Sequence, residues 1–316
     1  PVGRNTAPAV ALASLKSIDK NNDPILLILS SDHKIKDVEE FHEAIEEAIK
    51  FALKGNIVTF GIRPNSPEVG YGYIESHDEI SRDNRASKIR RFIEKPSLKV
   101  AKDLIKDNHF SWNSGMFVAK ASIMIAEMER YEQQIIHICR KALQESIKDL
   151  DFIRIKGNIF KECPNLSIDV AVMEKTQVGK VIFLDAGWND LGSWKSICEI
   201  ANTDKDQNSL YGKTFVKDVK KSYLRSDKRL LVGLGIENIL VVDTEDALLV
   251  ANKESIDSLK DLVKELGEKN FPEVNFNKKV HRPWGNYTSV NDGQYWQVKR
   301  LEIIPLESLS LQLHNY

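Results

Sequence analysis

Two aspartates, far apart in the chain, each follow an apolar run that predicts a buried strand. Asp32 comes just after the run 24–30, and Asp190 follows a strand predicted at 181–185. Ligands of open α/β sheets bind beyond the carboxyl ends of the strands. Two carboxylates that converge there can hold one Mg²⁺ against phosphate oxygens. Taken singly, each aspartate is more simply explained as a turn residue, since turns favour Asp.

Residues suited to a phosphorylated sugar lie beside other predicted strands. Lys95 offers a compact anchor for a phosphate, and its neighbour Glu94 can accept hydrogen bonds from sugar hydroxyls. Asn113 has both donors and acceptors, while Gly115 and Gly72 would let a ligand approach the main chain. The plainer alternatives are a solvated Glu-Lys pair and ordinary turns into strands.

Two further segments carry weaker signals. Lys175 ends a predicted helix, and the plainer explanation of a lysine there is that it complements the helix dipole. Gly3, Arg4 and Asn5 are placed to frame a nucleotide base, or Asn5 or Thr6 caps the helix that follows. Neither segment identifies a site without the others.

The elements that must position these side chains alternate between strand and helix. The strand at 24–30 precedes a helix at 41–53, which Asp37 and Glu40 begin as a capping box, and a second buried strand follows at 57–62. This rhythm predicts an α/β fold. Further strands are predicted at 71–75, 90–94, 116–119 and 181–185, and further helices at 98–106, 121–131, 132–147, 168–175 and 193–200.

The sequence pattern changes from about Leu210, where short β-like runs recur between Asp, Gly and Asn. Even spacing of short strands predicts a β-solenoid turn or a small β-subdomain. The expected domains are an α/β core (1–205), a β-rich subdomain with a closing helix (206–270), and a linker with the first strands of a further module (271–316). The short β-like runs of the second domain lie at 214–219, 222–225, 230–234, 239–242 and 247–251, and a helix is predicted after them at 252–266. The third domain is predicted to begin with a polar linker at 272–279, followed by strands at 284–290, 295–304 and 308–314.

Composition narrows the class of protein. The 316 residues include 45 basic and 46 acidic side chains, giving a net charge of −1, so the basic excess of a nucleic-acid binder is missing. No apolar run approaches the ~18 residues that span a membrane. Three scattered cysteines favour a reducing compartment over a disulfide framework. We therefore expect a cytoplasmic protein with neither nucleic acid nor membrane as partner.

Together and in order, these segments resemble a known family. The mannose-1-phosphate guanylyltransferases, within the sugar-nucleotide pyrophosphorylases, are similar to this chain at GRNTAPA, SDH, GYGYI, FIEKP, WNSGMF, SIDVAVMEK, GWNDLGSW, RPWGNY and LSLQLH. The resemblance implies a Rossmann-like core with a mostly parallel sheet, a small β-solenoid-like subdomain, and the start of a cupin β-barrel. That barrel resembles the mannose-6-phosphate isomerase domain fused to long members of the family.

The resemblance also implies a reaction and its site. GTP and mannose 1-phosphate would give GDP-mannose and pyrophosphate, with Mg²⁺ as cofactor, and homo-oligomerisation stays open. The implied roles are metal binding for Asp32 and Asp190, contact with the sugar phosphate for Lys95 and Lys175, contact with the sugar for Gly72, Glu94, Asn113 and Gly115, a place at the site rim for Asp169, and proximity to guanine for Gly3, Arg4 and Asn5.

Departures from the family pattern set further expectations. The glycine-rich segment that would hold the triphosphate is absent, so we expect an internal piece of a longer enzyme with little activity of its own. Val170 and Val69 replace the usual Tyr and Thr, and SSDH replaces PADH, which look tolerable. His314 matches the first metal-site histidine of the isomerase domain, but a metal is not expected there.

Other functions remain to be weighed. One alternative is a transferase for another hexose 1-phosphate and nucleotide, and a second is a non-catalytic subunit that keeps the fold. A glycosyltransferase is disfavoured, because the Asp-x-Asp at Asp204 and Asp206 lies in a polar turn rather than after a strand.

Overall fold

The computed structural model describes residues 2–18, 22–149, 152–275, 277–294 and 296–309. The chain forms two compact units, unit 1 (Pro1–Asp190) and unit 2 (Leu191–Tyr316). His314, and the end of the strand predicted at 308–314, lie outside the described residues.

Unit 1 alternates helices and strands, as the apolar patterns predict. Its helices are α1 (Thr6–Ser17), α2 (Val38–Ala52), α3 (Leu98–Leu104), α4 (Ala121–Tyr131), α5 (Gln133–Gln144) and α6 (Gly157–Phe160), with a π-helical turn at Asp169–Met173. Its strands are β1 (Ile25–Ile28), β2 (Ile57–Ile62), β3 (Tyr73–Ser76), β4 (Ala86–Ile93), β5 (Phe110–Lys120), β6 (Ile147–Asp149), β7 (Phe152–Arg154) and β8 (Gly179–Phe183).

The main sheet of unit 1 has the order β1-β5-β2-β8-β4-β3, and β3 also pairs with β5, which closes the ring. Only the pair β2 and β8 is parallel among the described pairings of this sheet. The neighbours of β5 are antiparallel to it, as is β4 to its own neighbours. The expected mostly parallel sheet is therefore replaced by a mixed one, because β5 and β4 both run antiparallel to their neighbours.

Local signals account for the ends of several elements. Asp37 caps α2, with a carboxylate oxygen 3.1 Å from the backbone nitrogen of Glu40. Glu40 does not complete the capping box, since its carboxylate receives two hydrogen bonds of 2.7 and 2.8 Å from Arg85. The sequence predicts burial on both faces for β1, but among the described residues this strand pairs with β5 alone, and Leu27 is 44% exposed.

The core of unit 1 lies on both faces of the sheet. On one face Ile57 packs in a cluster with side chains of α1, α4 and α5. On the other, its neighbour Val58 packs in a cluster with α2. Successive residues of a strand point to opposite faces, so the sheet is the middle layer between two layers of helices.

Unit 2 consists of two further sheets. Its elements are α7 (Trp194–Ile200), β9 (Ser209–Lys217), β10 (Tyr223–Leu234), β11 (Ile239–Asp243), β12 (Leu248–Asn252), a 3₁₀ turn (Lys253–Ser258), α8 (Leu259–Glu268), a second 3₁₀ turn (Pro272–Val274), β13 (Lys279–Arg282), β14 (Gly285–Gly293) and β15 (Trp296–Ile303). β10 is parallel to β9 and β11, and β11 is antiparallel to β12, while the last three strands form an antiparallel meander.

Two details of unit 2 differ from the sequence prediction. The strands predicted at 222–225 and 230–234 are one strand, β10, with a register shift between Ser226 and Leu231. The predicted linker 272–279 contains a 3₁₀ turn and the first residue of β13. Among the helices in the described part of the chain, none has both the length and the apolar character to cross a bilayer.

Candidate active site

A bulge in β5 begins directly after Asn113, a buried residue of the sheet of unit 1. Asn113 lies opposite Gly61 and Phe117 opposite Thr59, so residues 114–116 face the single residue Phe60 of β2. Gly115 sits in the bulge with φ +70°, a conformation that glycine adopts without steric cost. The backbone nitrogen of Asn113 lies 2.8 Å from the carbonyl oxygen of Gly72. The bulge therefore joins three of the predicted sugar-site residues.

The side chain of Asn113 is held from two directions. Its Nδ2 group donates a 2.8 Å hydrogen bond to Asp169 Oδ1, and its Oδ1 accepts a 2.9 Å hydrogen bond from the Thr59 hydroxyl. Asp169 begins the π-helical turn Asp169–Met173, and such turns occur often at functional sites. Asp169, expected at the rim of the site, is thus bonded directly to Asn113, a residue predicted to contact the sugar.

Burial sets the protonation of Asp169. Desolvation, followed by the nearby negative charge of Glu94, raises the pKa of Asp169 to about 6, although the hydrogen bond from Asn113 and the charge of Lys95 act in the opposite direction. Buried carboxyls that share a site with another carboxylate resist ionisation. Asp169, Glu94 and Lys95 therefore form one cluster of interacting charged groups.

Glu94 and Lys95 turn into this cluster at the end of β4. Lys95 has φ +45°, an uncommon left-handed conformation for a residue with a side chain, and its ammonium lies 3.2 Å from Glu94 Oε1. The other oxygen of Glu94 faces Gly72 so closely that a Cβ there would lie 2.7 Å from it. Glycine at position 72 is thus required for the Glu94 carboxylate to occupy this place.

The two predicted metal-binding aspartates lie on neighbouring segments. Lys34 and Asn189 form an antiparallel bridge, with N–O distances of 2.8 and 2.9 Å, so Asp32 and Asp190 flank paired backbone. Both carboxylates act on the same imidazole: burial lowers the pKa of His33, while the charges of Asp32 and Asp190 oppose that shift. The two acidic groups are brought to one side of unit 1.

Tyr71 connects this acidic region to the residues predicted to contact the sugar. Its hydroxyl donates a 2.9 Å hydrogen bond to Asp190 Oδ1, and it immediately precedes Gly72 in the chain. Its ring meets those of Trp112 and Trp188 edge-on, with centroids 5.1 and 5.5 Å apart. The Trp188 indole donates a 3.1 Å hydrogen bond to the Nδ1 of His33. The packed aromatic rings of Tyr71, Trp112 and Trp188 therefore lie between the two aspartates and the residues predicted to contact the sugar.

The chemistry of the acidic pair suits a hard divalent cation. Carboxylate oxygens are the protein ligands that Mg²⁺ prefers, and Mg²⁺ usually keeps several waters and takes its other ligands from substrate phosphates. No group of three or more metal-ligating side chains occurs among the described residues. A site made of Asp32 and Asp190 alone would accordingly need phosphate oxygens to complete it.

Lys175 is paired with a glutamate, whereas its predicted role is contact with the sugar phosphate. Its ammonium lies 2.6 Å from Glu132 Oε1, at the start of α5. Lys175 nevertheless lies just beyond the π-helical turn that begins at Asp169. Glu174, the residue between the turn and Lys175, donates its backbone N–H to the carbonyl of Asp169 at 2.9 Å. No local pattern in the sequence predicts the ion pair with Glu132.

The N-terminal segment is anchored beside the stretch of chain that leads to Asp169. Thr6 Oγ1 accepts a 2.9 Å hydrogen bond from the Ile168 amide. Asn5 has φ +64° and caps α1 through Thr6, and the Arg4 guanidinium donates to the carbonyl of Lys161. Asn5 thus has the capping role that was the alternative to nucleotide binding, while an added Cβ on Gly3 would meet nothing within 4 Å.

Three residues that the sequence does not single out for these roles help to build the site: Thr59, Tyr71 and Glu132. Thr59 carries the only hydroxyl of the otherwise apolar strand IVTFGI, and a polar group in a buried strand indicates a hydrogen-bonding role. Tyr71 stands out in the sequence only as an aromatic neighbour of Gly72. Glu132 carries no local signal, because its partner Lys175 is 43 residues away.

Comparisons with protein families divide the chain into three matches. Residues 1–207 match the family described as nucleotidyl transferase. Residues 212–266 match the mannose-6-phosphate isomerase/GMP-like β-helix domain, and residues 269–316 match the mannose-6-phosphate isomerase C-terminal family.

Curated relatives are similar over the whole chain. Xanthan biosynthesis protein XanB of Xanthomonas campestris pv. campestris (strain B100) is 41% identical over 316 residues, which are all of this chain and 67% of the relative. Mannose-1-phosphate guanylyltransferase of Escherichia coli (strain K12) is 38% identical over 321 residues, with the same shares covered. The chain spans about two thirds of the length of these relatives.

Two solved structures show the same architecture. One described as mannose-1-phosphate geranyltransferase from Thermus thermophilus has a TM-score of 0.72 and 27% identity, over 84% of this chain and 76% of that one. Mannose-6-phosphate isomerase from Helicobacter pylori has a TM-score of 0.54 and 35% identity, over 60% of this chain and 72% of that one.

Proposed function

The chain belongs to the nucleotidyl transferase family, and from this premise we propose that it makes GDP-mannose and pyrophosphate from GTP and mannose 1-phosphate. A phosphate oxygen of the sugar phosphate attacks the α-phosphorus of GTP. The bond from that phosphorus to the oxygen bridging to the β-phosphate breaks, and pyrophosphate leaves. The observation that supports the proposal is the hydrogen bond from Tyr71 to Asp190, because it links the residue before Gly72, a proposed sugar contact, to one of the two aspartates proposed to hold the metal.

The sugar subsite is proposed to consist of Gly72, Glu94, Asn113, Gly115 and Asp169. Glu94 and Asp169 accept hydrogen bonds from hydroxyls, and the amide of Asn113 can donate one. A site that hydrogen-bonds a particular hydroxyl discriminates strongly against a sugar that lacks it or holds it in another direction, because its own buried groups then stay unpaired. The spacing of these groups therefore supports selection among hexoses.

The phosphate groups are proposed to be held by placed charges. Lys95, whose side chain is 65% exposed, can turn its ammonium from Glu94 to the sugar phosphate, since an exposed ion pair is weak. Lys175 would have to leave Glu132 to do the same. Asp32 and Asp190 would hold Mg²⁺, which when bound neutralises phosphate charge.

The nucleotide is proposed to lie against the N-terminal segment. Gly3 leaves open space for a base to approach the backbone, and Asn5 and Arg4 hold that backbone in place through their own hydrogen bonds. In this arrangement Arg4 and Asn5 act by shaping the segment. Positioning and charge neutralisation supply most of the catalysis in reactions at phosphorus.

A substrate panel tests the proposal. The full-length protein is assayed for pyrophosphate release with GTP, ATP, UTP or dTTP, each with mannose 1-phosphate and with glucose 1-phosphate. We expect kcat/KM to be highest for GTP with mannose 1-phosphate, by at least about tenfold. A higher kcat/KM for another nucleotide would refute the guanine assignment, and a higher one for glucose 1-phosphate would refute the sugar assignment.

A further inference from the structure

We propose that Thr59 is a positioning residue for the sugar subsite, holding the side-chain amide of Asn113 in the orientation that presents its N–H groups to Asp169 and to the sugar. The inference rests on the proposed function only in assigning Asn113 and Asp169 to the sugar. Thr59 itself is buried and reaches the sugar only through Asn113.

The place of Thr59 in the fold makes its hydroxyl conspicuous. It lies in the middle of β2, between β5 and β8, and it is fully buried. Valine has nearly the same shape and favours strands equally, so packing alone gives no reason for a hydroxyl here. A buried hydroxyl costs free energy unless it is hydrogen-bonded.

The bulge in β5 supplies the partners. Thr59 Oγ1 lies 2.9 Å from Asn113 Oδ1 and 2.9 Å from the carbonyl oxygen of Met116. These two acceptors sit at either end of the bulged segment 114–116. A regular strand would place only one residue opposite each residue of β2. The single proton of the hydroxyl is shared between these two acceptors, so Thr59 holds the amide oxygen of Asn113 beside the bulge.

The geometry of the amide explains why this contact matters for binding. Oxygen and nitrogen lie on opposite sides of the amide carbon, so an oxygen turned towards Thr59 leaves Nδ2 turned towards Asp169, at 2.8 Å. One N–H is used by Asp169, and a second remains. Without the hydroxyl, the amide would lose the partner on its oxygen side and would be free to rotate away from this arrangement.

Alternative roles for the hydroxyl predict different results. If Thr59 only stabilised the fold, its loss would lower the melting temperature without a selective effect on the sugar. If it acted through Asn113, its loss would raise the KM for the hexose 1-phosphate, leave the KM for GTP nearly unchanged, and have no further effect once Asn113 is removed.

The test is a double-mutant cycle on the full-length protein. Thr59→Val removes the hydroxyl with little change of shape, Thr59→Ser keeps the hydroxyl, and Asn113→Ala removes its partner. Ser76→Ala is the matched control, because Ser76 is a buried hydroxyl of the same sheet that bonds to the carbonyl of His109 at 3.0 Å. Melting temperatures and KM values for both substrates are measured for every variant.

We expect Thr59→Val to raise the hexose 1-phosphate KM by about 3- to 10-fold, the effect of losing one hydrogen bond, and Thr59→Ser and Ser76→Ala to leave it within about twofold. In the Asn113→Ala background, Thr59→Val should change the KM no further. An unchanged KM in Thr59→Val, or an equal increase in both backgrounds, would overturn the inference. The hexose used is the one that the wild type turns over best, so that a wrong sugar assignment is recognised separately.

Discussion

Tyr71 donates a 2.9 Å hydrogen bond to Asp190 Oδ1, across 119 residues of sequence. The contact places the residue before Gly72 against one of the two carboxylates proposed to hold Mg²⁺. It fixes the direction of that carboxylate while the ring of Tyr71 packs against Trp112 and Trp188. Sugar recognition and metal binding are therefore proposed to share a structural element.

The first prediction concerns this shared element. Tyr71→Phe keeps the ring and removes the hydroxyl, so we expect the concentration of Mg²⁺ needed for half-maximal turnover to rise by about 3- to 10-fold, as for loss of one hydrogen bond to a charged group. Turnover is measured against Mg²⁺ concentration at saturating substrates. Tyr131→Phe on α4 is the control and should behave as the wild type. An unchanged Mg²⁺ requirement in Tyr71→Phe would show that the hydrogen bond does not orient Asp190.

The second prediction tests the acidic pair itself. Asp32→Asn and Asp190→Asn each keep the side-chain shape but remove one charge, and we expect kcat/KM to fall by roughly 100-fold or more, since a bound metal supplies several kcal/mol of charge stabilisation. Steady-state kinetics at several Mg²⁺ concentrations measure the loss. High Mg²⁺ should restore part of the activity if affinity for the ion is what has changed.

Asp204→Asn is the matched control for that experiment. Asp204 Oδ1 accepts hydrogen bonds of 2.9 and 2.8 Å from the amides of Asp206 and Asn208, and the bond from Asn208 is the main reason that the pKa of Asp204 is lowered. Its carboxylate is thus used to hold a turn. Activity should remain near that of the wild type, whereas a loss as large as in Asp190→Asn would favour the Asp-x-Asp chemistry of a glycosyltransferase.

How far the sequence alone predicts this site depends on the distance between partners. The cap of α2 by Asp37 and the strand at 57–62 follow from local patterns and are found in the structure. The bond between Asn113 and Asp169 joins residues 56 apart, and the pair formed by Lys175 and Glu132 joins residues 43 apart. Such contacts depend on how strands order in the sheet, and the insertion of β5 beside β1 has no local signal. Only the resemblance to a family brings Asn113, Asp169 and Lys175 into one predicted site, and it does not include Glu132.

The third prediction concerns the raised pKa of Asp169. An unfolded Asp has a pKa of about 3.9, whereas burial, then Glu94, raises the pKa of Asp169 to about 6 in the folded protein. Between these values the folded state binds more protons than the unfolded state, so this group's contribution to stability falls as the pH rises through that window. At pH 7 the carboxylate is therefore a net cost to folding.

Asp169→Asn removes this cost. We expect the variant to be more stable than the wild type by on the order of 2 kcal/mol at pH 7, with the difference vanishing near pH 4. Denaturant unfolding at the two pH values measures it, and Asp103→Asn, an exposed residue of α3, should show no such change with pH. The same variant should bind mannose 1-phosphate more weakly. Equal stability of variant and wild type at pH 7 would contradict the assignment of a buried, repelled carboxylate.

The fourth prediction uses two neighbouring glycines. A Cβ at Gly72 would lie 2.7 Å from Glu94 Oε2 and 3.1 Å from the ring of Phe92, so Gly72→Ala must push the Glu94 carboxylate aside. Because that carboxylate is the end of a flexible side chain, we expect the fold to survive at a cost of about 1–3 kcal/mol. The KM for the hexose 1-phosphate should rise by about tenfold or more, since a hydroxyl would lose its acceptor.

Gly70→Ala makes the comparison decisive, because a Cβ at Gly70 would meet no atom within 4 Å. Both variants add one methyl group to the same loop, and they differ in whether the Glu94 carboxylate and, to a smaller extent, the ring of Phe92 must move. We expect Gly70→Ala to keep the wild-type KM for both substrates, and Gly72→Ala to change the KM for the hexose 1-phosphate much more than that for GTP. If both variants raised the hexose KM alike, loop flexibility and not the position of Glu94 would govern sugar binding. If neither did, Glu94 would have no contact with the sugar.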